Sequence, residues 1–210
     1  LYFDEEYNEN CLVTVLTAGV VKEKNVLRSR APKNSAGYDL ILIGKPTDNS
    51  GFGGASFASL ELEEEKKQQN KGAVQEPNAF LERHILKATY SLFEYLEEKN
   101  LIDKVGFKDL GAGGVACASI ELADAAGLGA EVWVDKIHTS MPGLDDHIIL
   151  CSETQERFMW ACSPELTPKI LQHYNEKFDF PSVSMGAKAS VVGKIINEKH
   201  YTVFSGNKKL

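Results

Sequence analysis

The sequence has no long hydrophobic run and no excess of positive charge, and these absences exclude two classes of protein. Its apolar stretches, such as residues 40–44 and 147–151, are far shorter than the roughly 20 residues of a membrane-spanning helix. Against 23 Lys and Arg stand 30 Asp and Glu, a formal net charge of −7, whereas a protein that coats nucleic-acid phosphates needs a concentrated basic face. We therefore expect no membrane segment and no nucleic-acid partner.

Cysteine is also scarce, and its spacing argues against a zinc site or a disulfide framework. The four cysteines, Cys11, Cys117, Cys151 and Cys162, include no Cys-x-x-Cys pair. We interpret them as buried free thiols of a cytoplasmic protein. No signal peptide and no initiator Met precede Leu1, so we expect a chain that begins inside a longer natural protein.

The remaining composition is that of an ordinary globular protein. With 43% hydrophobic and 25% charged residues over a length of 210, the chain is long enough for a buried core. Apolar, β-branched runs predict strands at several places. They are residues 11–21, 38–44, 105–110, 130–134, 147–151 and 158–162, with 189–195 and 201–204 as a closing hairpin.

Helical periodicity is clearest after Pro77. Apolar residues recur there at intervals of three and four, which predicts one buried helix face: Leu81, Ile85, Ala88, Leu92 and Leu96. Further helices are predicted at residues 115–126 and from Ser163 and Pro164 onward. Helices interspersed among strands, some of which follow one another directly, predict an α/β fold of layered α+β type, a mixed sheet with helices packed on it.

A glycine-rich turn, DLGAGG, follows the strand predicted at residues 105–110 and contains Asp109 near that strand's end. A carboxylate there can hold Mg²⁺, since hard cations take oxygen ligands, and glycines let a ligand approach the backbone of the next helix. The same pattern is typical of a tightly packed turn with an aspartate that caps a helix. Both interpretations stay open at this point.

Other polar or glycine-rich segments are candidates for ligand contacts. Residues 152–157, SETQER, lie between two predicted strands without the usual turn residues, and Gln75 stands before the long helix, where its amide can orient a ligand. Residues 48–59 are glycine-rich but lack the Lys-Ser/Thr ending of a P-loop. Each segment also has a purely structural interpretation. Residues 152–157 could form an exposed turn, Gln75 could cap the helix, and residues 48–59 could form the entry to a strand. Residues 145–147, DDH, are interpreted as a solvated turn before a strand.

Four segments in this order, GFGGASFAS (51–59), AVQ (73–75), DLGAGG (109–114) and SETQER (152–157), together resemble one enzyme family. It is phosphoribosylformylglycinamidine synthase, or formylglycinamide ribonucleotide amidotransferase, in its synthetase (subunit II) form. The resemblance covers nearly the whole chain as an internal fragment. It implies the C-terminal domain fold of the aminoimidazole ribonucleotide synthase-like superfamily.

The resemblance implies an ATP-dependent carbon–nitrogen ligase of de novo purine biosynthesis. ATP phosphorylates the amide oxygen of formylglycinamide ribonucleotide, and ammonia, released from glutamine by a glutaminase subunit or domain, displaces the phosphate. By position, Asp109 matches a Mg²⁺ ligand, and the substrate-binding positions match Gln75, Glu153, Thr154 and Gln155. No catalytic residue is implied within this chain.

The resemblance also implies a division of the chain and a need for the remaining domains of the protein. Residues 1–35 would end a first N-terminal, ATP-binding-type domain, and residues 36–210 would form the first C-terminal domain, so the fragment alone is expected to be inactive. One alternative is another ATP-dependent member of the superfamily, such as an aminoimidazole ribonucleotide synthase, a selenophosphate synthetase, a thiamine-phosphate kinase or a hydrogenase maturation factor. A second alternative is a non-catalytic assembly module.

Overall fold

The structure, a computed structural model, describes Glu5, residues 15–51 and residues 76–210. Cys11, Gln75 and most of the glycine-rich stretch 48–59 lie outside the described residues. The described strands are β1 (Asp39–Gly44), β2 (Gly106–Asp109), β3 (Gly129–Trp133), β4 (Arg157–Cys162), β5 (Lys188–Ile196), β6 (Tyr201–Ser205) and β7 (Lys208–Lys209). They form one sheet in the order β2-β4-β1-β5-β3-β6-β7. Neighbours are antiparallel except for β3 and β6, which are parallel, and this confirms the predicted mixed sheet.

The described α-helices are α1 (Ala79–Glu98), α2 (Gly114–Asp124), α3 (Asp146–Cys151), α4 (Thr167–Gln172) and α5 (Phe180–Val183), with a π-helical turn at His173–Lys177 after α4. The long helix α1 follows Asn78, whose Oδ1 accepts a hydrogen bond from Leu81 N at 3.0 Å, and its predicted apolar face is buried. The helix predicted from Pro164 starts only at Thr167, after a turn. Within the described part of the chain no helix is long and apolar enough to span a membrane.

Strand β1 explains why helices cover both faces of the sheet. Successive side chains of a strand point to opposite faces, and every residue of β1 is buried. Leu40 and Leu42 belong to an apolar cluster with α2, whereas Ile41 and Ile43 belong to a second cluster with α1. The result is a sheet between two helical layers, held by apolar contacts on each side.

The strand predicted at residues 147–151 is wrong, because this run forms α3. Ile149 N donates to Asp145 O at 3.0 Å, so residues 145–147 begin a helix instead of forming a turn before a strand. Ile149 and Leu150 pack on the apolar cluster that contains α2. A run of only four apolar residues has no period that separates a strand from a helix, and contact with α2 decides between them.

The closing hairpin predicted at residues 189–195 and 201–204 is also wrong, because β3 lies between β5 and β6. β3 pairs antiparallel with β5 and parallel with β6. A Cβ at Gly129, the first residue of β3, would lie 2.0 Å from Glu198 O and 2.2 Å from His200 O. The glycine therefore lets β3 lie against the connection between β5 and β6, where a side chain would clash.

The described part of the strand predicted at residues 11–21 is not formed. Residues 15–21 have no regular secondary structure, and Val15, Leu16 and Val20 are 84%, 90% and 104% exposed. A β-branched run forms a strand only where it can pair with a neighbouring strand and pack against an apolar surface. Among the described residues, no strand of the sheet pairs with this segment.

The cysteines differ in burial, although the three that the structure describes are all free thiols. Cys162 is buried as predicted, whereas Cys117 is exposed and Cys151 is half-buried. The buried residues of α2 include Val115 and Ala118, so Cys117 lies on the other side of that helix. Helical position, rather than residue type, therefore sets its exposure.

Leu92→Ala should destabilise the protein by about 2–5 kcal/mol, because a fully buried side chain of α1 is replaced by a cavity. The matched control is Phe80→Ala on the same helix, where the side chain is 74% exposed and the expected loss is below about 1 kcal/mol. Urea unfolding followed by circular dichroism measures both losses. Equal destabilisation by the two variants would contradict the assigned buried face.

Candidate ligand site at one end of the sheet

Three strands bring the predicted motifs together at one end of the sheet. Asp109, the last residue of β2, pairs with Phe158 in β4, and Gly44, the last residue of β1, pairs with Arg157 at the start of β4. Because β4 is antiparallel to both strands, its amino end lies between the carboxyl ends of β1 and β2. The DLGAGG and SETQER segments therefore lie side by side.

The glycine turn after β2 packs directly against the backbone of the SETQER segment. Gly113 and Gly114 have φ angles of 75° and 56°, a conformation that glycine adopts without steric cost. A Cβ on Gly114 would lie 2.3 Å from Ser152 O, so a side chain has no room there. The glycines thus serve close packing, while Asp109 remains exposed at the rim.

Arg157 holds the SETQER segment from inside the protein, where it is 2% exposed. Its Nε donates to Thr154 O at 2.9 Å, Nη2 donates to Ser152 O at 2.6 Å, and Nη1 donates to Thr47 Oγ1 at 2.8 Å. These bonds fix the backbone on both sides of Glu153. Burial lowers the pKa of Arg157 to about 10, so the guanidinium stays charged at neutral pH.

Asp48 fixes the side chains of the same segment. Thr154 Oγ1 donates to Asp48 Oδ1 at 3.1 Å, and Ser152 Oγ donates to Asp48 O at 2.9 Å and to Ser50 O at 2.8 Å. Lys45 Nζ lies 3.0 Å from Asp48 Oδ2. Burial raises the pKa of Asp48, but hydrogen bonds from Ser50 and Lys45 outweigh burial and lower it below its usual value. The result is a charged pair at the base of the segment.

The residues predicted to bind ligand differ in exposure. Thr154 is fully buried and Glu153 is 8% exposed, whereas Gln155 is half-buried and Asp109 is exposed. The hydroxyl of Thr154 is engaged by Asp48, and this contact holds the segment in place. A direct contact of any of these side chains with a ligand stays a prediction.

Gln75 lies outside the described residues, but the chain that follows it is tied to this site. Lys45 Nζ donates to Glu76 O at 3.0 Å, and Asn78 N donates to Glu156 Oε1 at 2.8 Å. The entrance of α1 is thus linked both to the end of β1 and to the SETQER segment. The ligand contact of Gln75 itself stays a prediction.

Asp109 offers the oxygen ligand that a hard cation takes, and so fits Mg²⁺ in kind. In the part of the chain that the structure describes, no group of three or more His, Cys, Asp or Glu side chains is suited to a metal. The neighbouring Lys108 pairs with Glu121 at 2.6 Å, so its charge is already matched. A cation at Asp109 would take its remaining ligands from water, a bound phosphate or residues outside the described ranges.

The sequence motifs do not predict a role for three residues that hold this site together: Lys45, Asp48 and Arg157. Their residue types are mostly exposed in proteins, and hydrogen-bond partners far away in the sequence give no local pattern. One usable signal is that Arg157 directly precedes the apolar run 158–162. A charged residue at the start of a buried strand needs hydrogen-bond partners, which the neighbouring loops must then supply.

His138 supports the end of β1 beneath this site. Its Nε2 donates to Gly44 O at 3.0 Å and its Nδ1 accepts from Ser190 Oγ at 3.0 Å, a tautomer assigned because a carbonyl oxygen only accepts. Burial lowers the pKa of His138 to about 4, and the charges of Lys188 and Arg157 act in the same direction. The imidazole is therefore neutral at pH 7.

Comparison with known proteins adds a family and named relatives. A family model described as "AIR synthase related protein, C-terminal domain" matches residues 35–206. The phosphoribosylformylglycinamidine synthase subunit PurL of Methanothrix thermoacetophila is 47% identical over 204 residues, which are 96% of this chain and 26% of that protein. PurL of Methanopyrus kandleri is 35% identical over 207 residues, 99% of this chain and 26% of that protein.

Solved structures are similar over the same span. Thermotoga maritima PurL complexed with FGAR matches with a TM-score of 0.75 and 31% identity, covering 91% of this chain and 29% of that chain. The same protein complexed with ATP has a TM-score of 0.68 at 26% identity, and PurLQS from that organism has 0.70 at 27% identity, each covering 91% of this chain and 27% of that chain. This chain thus spans about a quarter of the length of the relatives it matches.

Arg157→Lys should destabilise the protein by about 2–4 kcal/mol, because a lysine cannot reproduce the planar fork and leaves buried acceptors without donors. Arg83→Lys, an exposed position on α1, is the matched control and should change stability by less than about 0.5 kcal/mol. Urea midpoints of the two variants measure the difference. A wild-type midpoint for Arg157→Lys would show that the buried fork is dispensable.

Acidification should destabilise the protein through His138. Its folded-state pKa of about 4 lies below the ordinary value of 6.5, so the unfolded chain takes up the proton first as the pH falls. Stability is therefore full above pH 6.5 and falls between about pH 6.5 and 4, by up to roughly 3 kcal/mol.

The test is the free energy of unfolding at several pH values for wild type, His138→Gln and the exposed-site control His200→Gln. The slope between pH 6.5 and 5 should be shallower in His138→Gln and unchanged in His200→Gln. His173, whose pKa burial also lowers, is present in all three proteins and cancels in the comparison. Identical slopes in wild type and His138→Gln would contradict the assignment.

Proposed function

Because this chain belongs to the AIR synthase-related family, whose C-terminal domain its residues 35–206 match, we propose that it is part of an ATP-dependent carbon–nitrogen ligase. The reaction is the conversion of formylglycinamide ribonucleotide and ammonia to formylglycinamidine ribonucleotide in purine biosynthesis. The 47% identity to a PurL subunit supports this assignment. Since the chain spans 26% of that relative, the activity is assigned to the complete gene product.

One structural observation carries the proposal: the DLGAGG and SETQER segments meet at one end of the sheet. Asp109 lies exposed on one side, and Glu153 and Gln155 lie on the other, on a backbone held by a buried guanidinium. A metal-bound phosphate and the amide of a substrate need such neighbouring, fixed groups. Gln75, at the entrance of α1, is proposed as a further substrate contact.

The proposed chemistry joins two displacements. The amide oxygen of the substrate attacks the γ-phosphorus of ATP, and ADP leaves as the new O–P bond forms. Ammonia then adds to the activated carbon, which expels phosphate and a proton and leaves the amidine. In this scheme Glu153, Gln155 and Gln75 bind and orient the ribonucleotide, so that its amide oxygen is held for attack.

Asp109 is proposed to hold the metal of this reaction. Mg²⁺ bound there would offset charge on the transferring phosphoryl group. The carboxylate lies at the end of β2, where the glycine turn at Gly113 and Gly114 keeps the adjoining backbone free of side chains. Gly111, two residues after Asp109, has no atom within 4 Å of the position that a Cβ would take, and this open space can receive an anionic group beside the metal.

The other domains and partners are also part of the proposal. Residues 1–35 are assigned to the end of a preceding ATP-binding domain and residues 36–210 to the C-terminal domain. Thermotoga maritima PurL is described in complex with FGAR and with ATP, and a further structure from that organism is described as PurLQS. By analogy we assign to this protein ATP, formylglycinamide ribonucleotide and a glutaminase that supplies ammonia, in the cytoplasm.

Asp109→Asn in the complete gene product should lower turnover by about 100-fold or more, because the neutral amide weakens Mg²⁺ binding at the transferring phosphoryl group. ADP release from ATP, Mg²⁺, ammonium and formylglycinamide ribonucleotide measures turnover. Asp103→Asn is the matched control, since Asp103 is exposed and its ion pair with Lys104, at 3.4 Å, lies at the surface. Its turnover should equal that of wild type.

Each other outcome points to one of the alternatives. Full turnover in Asp109→Asn would remove the metal role from this residue. A folded wild-type protein that releases ADP only with another acceptor would be a different ATP-dependent member of the superfamily. A folded wild-type protein with no turnover on any of these substrates would favour the assembly module.

A further inference from the structure

Glu156, the fifth residue of the SETQER segment, has an unusual backbone conformation. Its φ angle is 54°, in the left-handed region that few residues other than glycine adopt. Its carbonyl oxygen accepts from Lys45 N at 3.1 Å. The same oxygen would lie 2.0 Å from a Cβ on Gly44, so the end of β1 is built to receive it. Strained backbone of this kind persists where the surroundings fix it, often at functional sites.

The side chain of Glu156 reaches across to the start of α1. Its Oε1 accepts from Asn78 N at 2.8 Å, at the helix end where backbone N–H groups lack partners and favour negative charge. Asn78 in turn caps the helix through Leu81 N at 3.0 Å. A residue of the SETQER segment therefore holds the first turn of a helix from a distant part of the chain.

Lys45 makes a second link between the same parts of the molecule. Its backbone N donates to Glu156 O at 3.1 Å, while its Nζ donates to Glu76 O at 3.0 Å and pairs with Asp48 at 3.0 Å. The stretch that enters α1 is thus held at two points, by Lys45 and by Glu156. Both links are side chains that lie on or against the SETQER segment.

The arrangement is not the one that stability alone favours. Glu156 Oε2 is buried and has no hydrogen-bond partner among the residues that the structure describes, which is costly for a carboxylate oxygen. The carboxyl of Glu82 lies close by, and its pKa is raised by burial and by the charge of Glu156. Glu156 thus combines a left-handed backbone, a carboxylate oxygen without a described partner and a second carboxyl nearby. The energetic cost of this arrangement is explained if the position of the Glu156 side chain serves the site.

We propose that Glu156 is a positioning residue: its carboxylate, together with Lys45, sets the start of α1 against the SETQER segment. This inference rests on the proposed function, in which Glu153 and Gln155 lie on that segment and Gln75 directly precedes the held stretch. The spacing between the two groups of substrate contacts then depends on the bond from Asn78 N to Glu156 Oε1. Glu156 itself touches no substrate.

The test uses the complete gene product with Glu156→Ala, Glu156→Gln and Lys45→Met, and with Glu165→Ala at an exposed position as the matched control. The KM for formylglycinamide ribonucleotide and kcat are measured at saturating ATP, Mg²⁺ and ammonium. Amide hydrogen exchange at residues 78–82 reports on the start of α1 without any need for turnover. Thermal melting shows whether each variant is folded.

Glu156→Ala should raise KM by about tenfold or more with a smaller change in kcat, and should speed exchange at residues 78–82. Glu156→Gln should keep both the KM and the exchange rate at residues 78–82 close to those of wild type, because an amide oxygen also accepts from Asn78 N. Combining Lys45→Met with Glu156→Ala should give less than the sum of the single effects on KM, since both residues hold the same stretch. Glu165→Ala should match wild type.

Several results would overturn the proposal. They are an unchanged KM in a folded Glu156→Ala protein, unchanged exchange at residues 78–82, and a Glu156→Gln variant as impaired as Glu156→Ala. If the alanine variant does not fold, the Lys45→Met variant and the glutamine variant decide by the same readouts. Absence of turnover in wild type would instead refute the proposed function, and hydrogen exchange would still show whether Glu156 holds α1.

Discussion

The buried guanidinium of Arg157 is the constraint on which the polar end of this structure depends. A charged group that is 2% exposed needs an acceptor for its donors, because an unpaired charge in the interior is strongly unfavourable. The backbone oxygens of Ser152 and Thr154 and the hydroxyl of Thr47 supply these acceptors. The SETQER segment is therefore folded around the charge, and it cannot rearrange without exposing or orphaning it.

The rest of the molecule provides a rigid support for this polar end. β1 is buried along its length and packs against helices on both faces, so its last residue, Gly44, is fixed in space. The left-handed Glu156 and the neutral His138 both contact the backbone of Gly44. Because a close-packed interior leaves little freedom for displacement, the end of β1 and the start of β4 keep fixed positions. They therefore hold the loops that form the site.

The cationic side chains of the site already have partners within the protein before any ligand binds. Lys45 pairs with Asp48, and the donors of Arg157 are engaged by the protein. These cations would have to break their contacts to meet a phosphate. If the proposed ribonucleotide and ATP bind here, their negative charge must be neutralised by a metal at Asp109, by backbone N–H groups and by parts of the protein beyond this chain. The overall charge of −7 agrees with local rather than global attraction.

The sequence by itself determined the elements whose signal is local. The three- and four-residue spacing gives α1, the uninterrupted apolar run of residues 40–43 suits a strand covered on both faces, and the motif residues identify the family. Only the tertiary structure decided that residues 147–151 form a helix, that β3 lies between β5 and β6, and that Arg157 is buried. Periodicity and capping are properties of neighbouring residues, whereas strand order and the burial of a charge depend on partners that are distant along the chain.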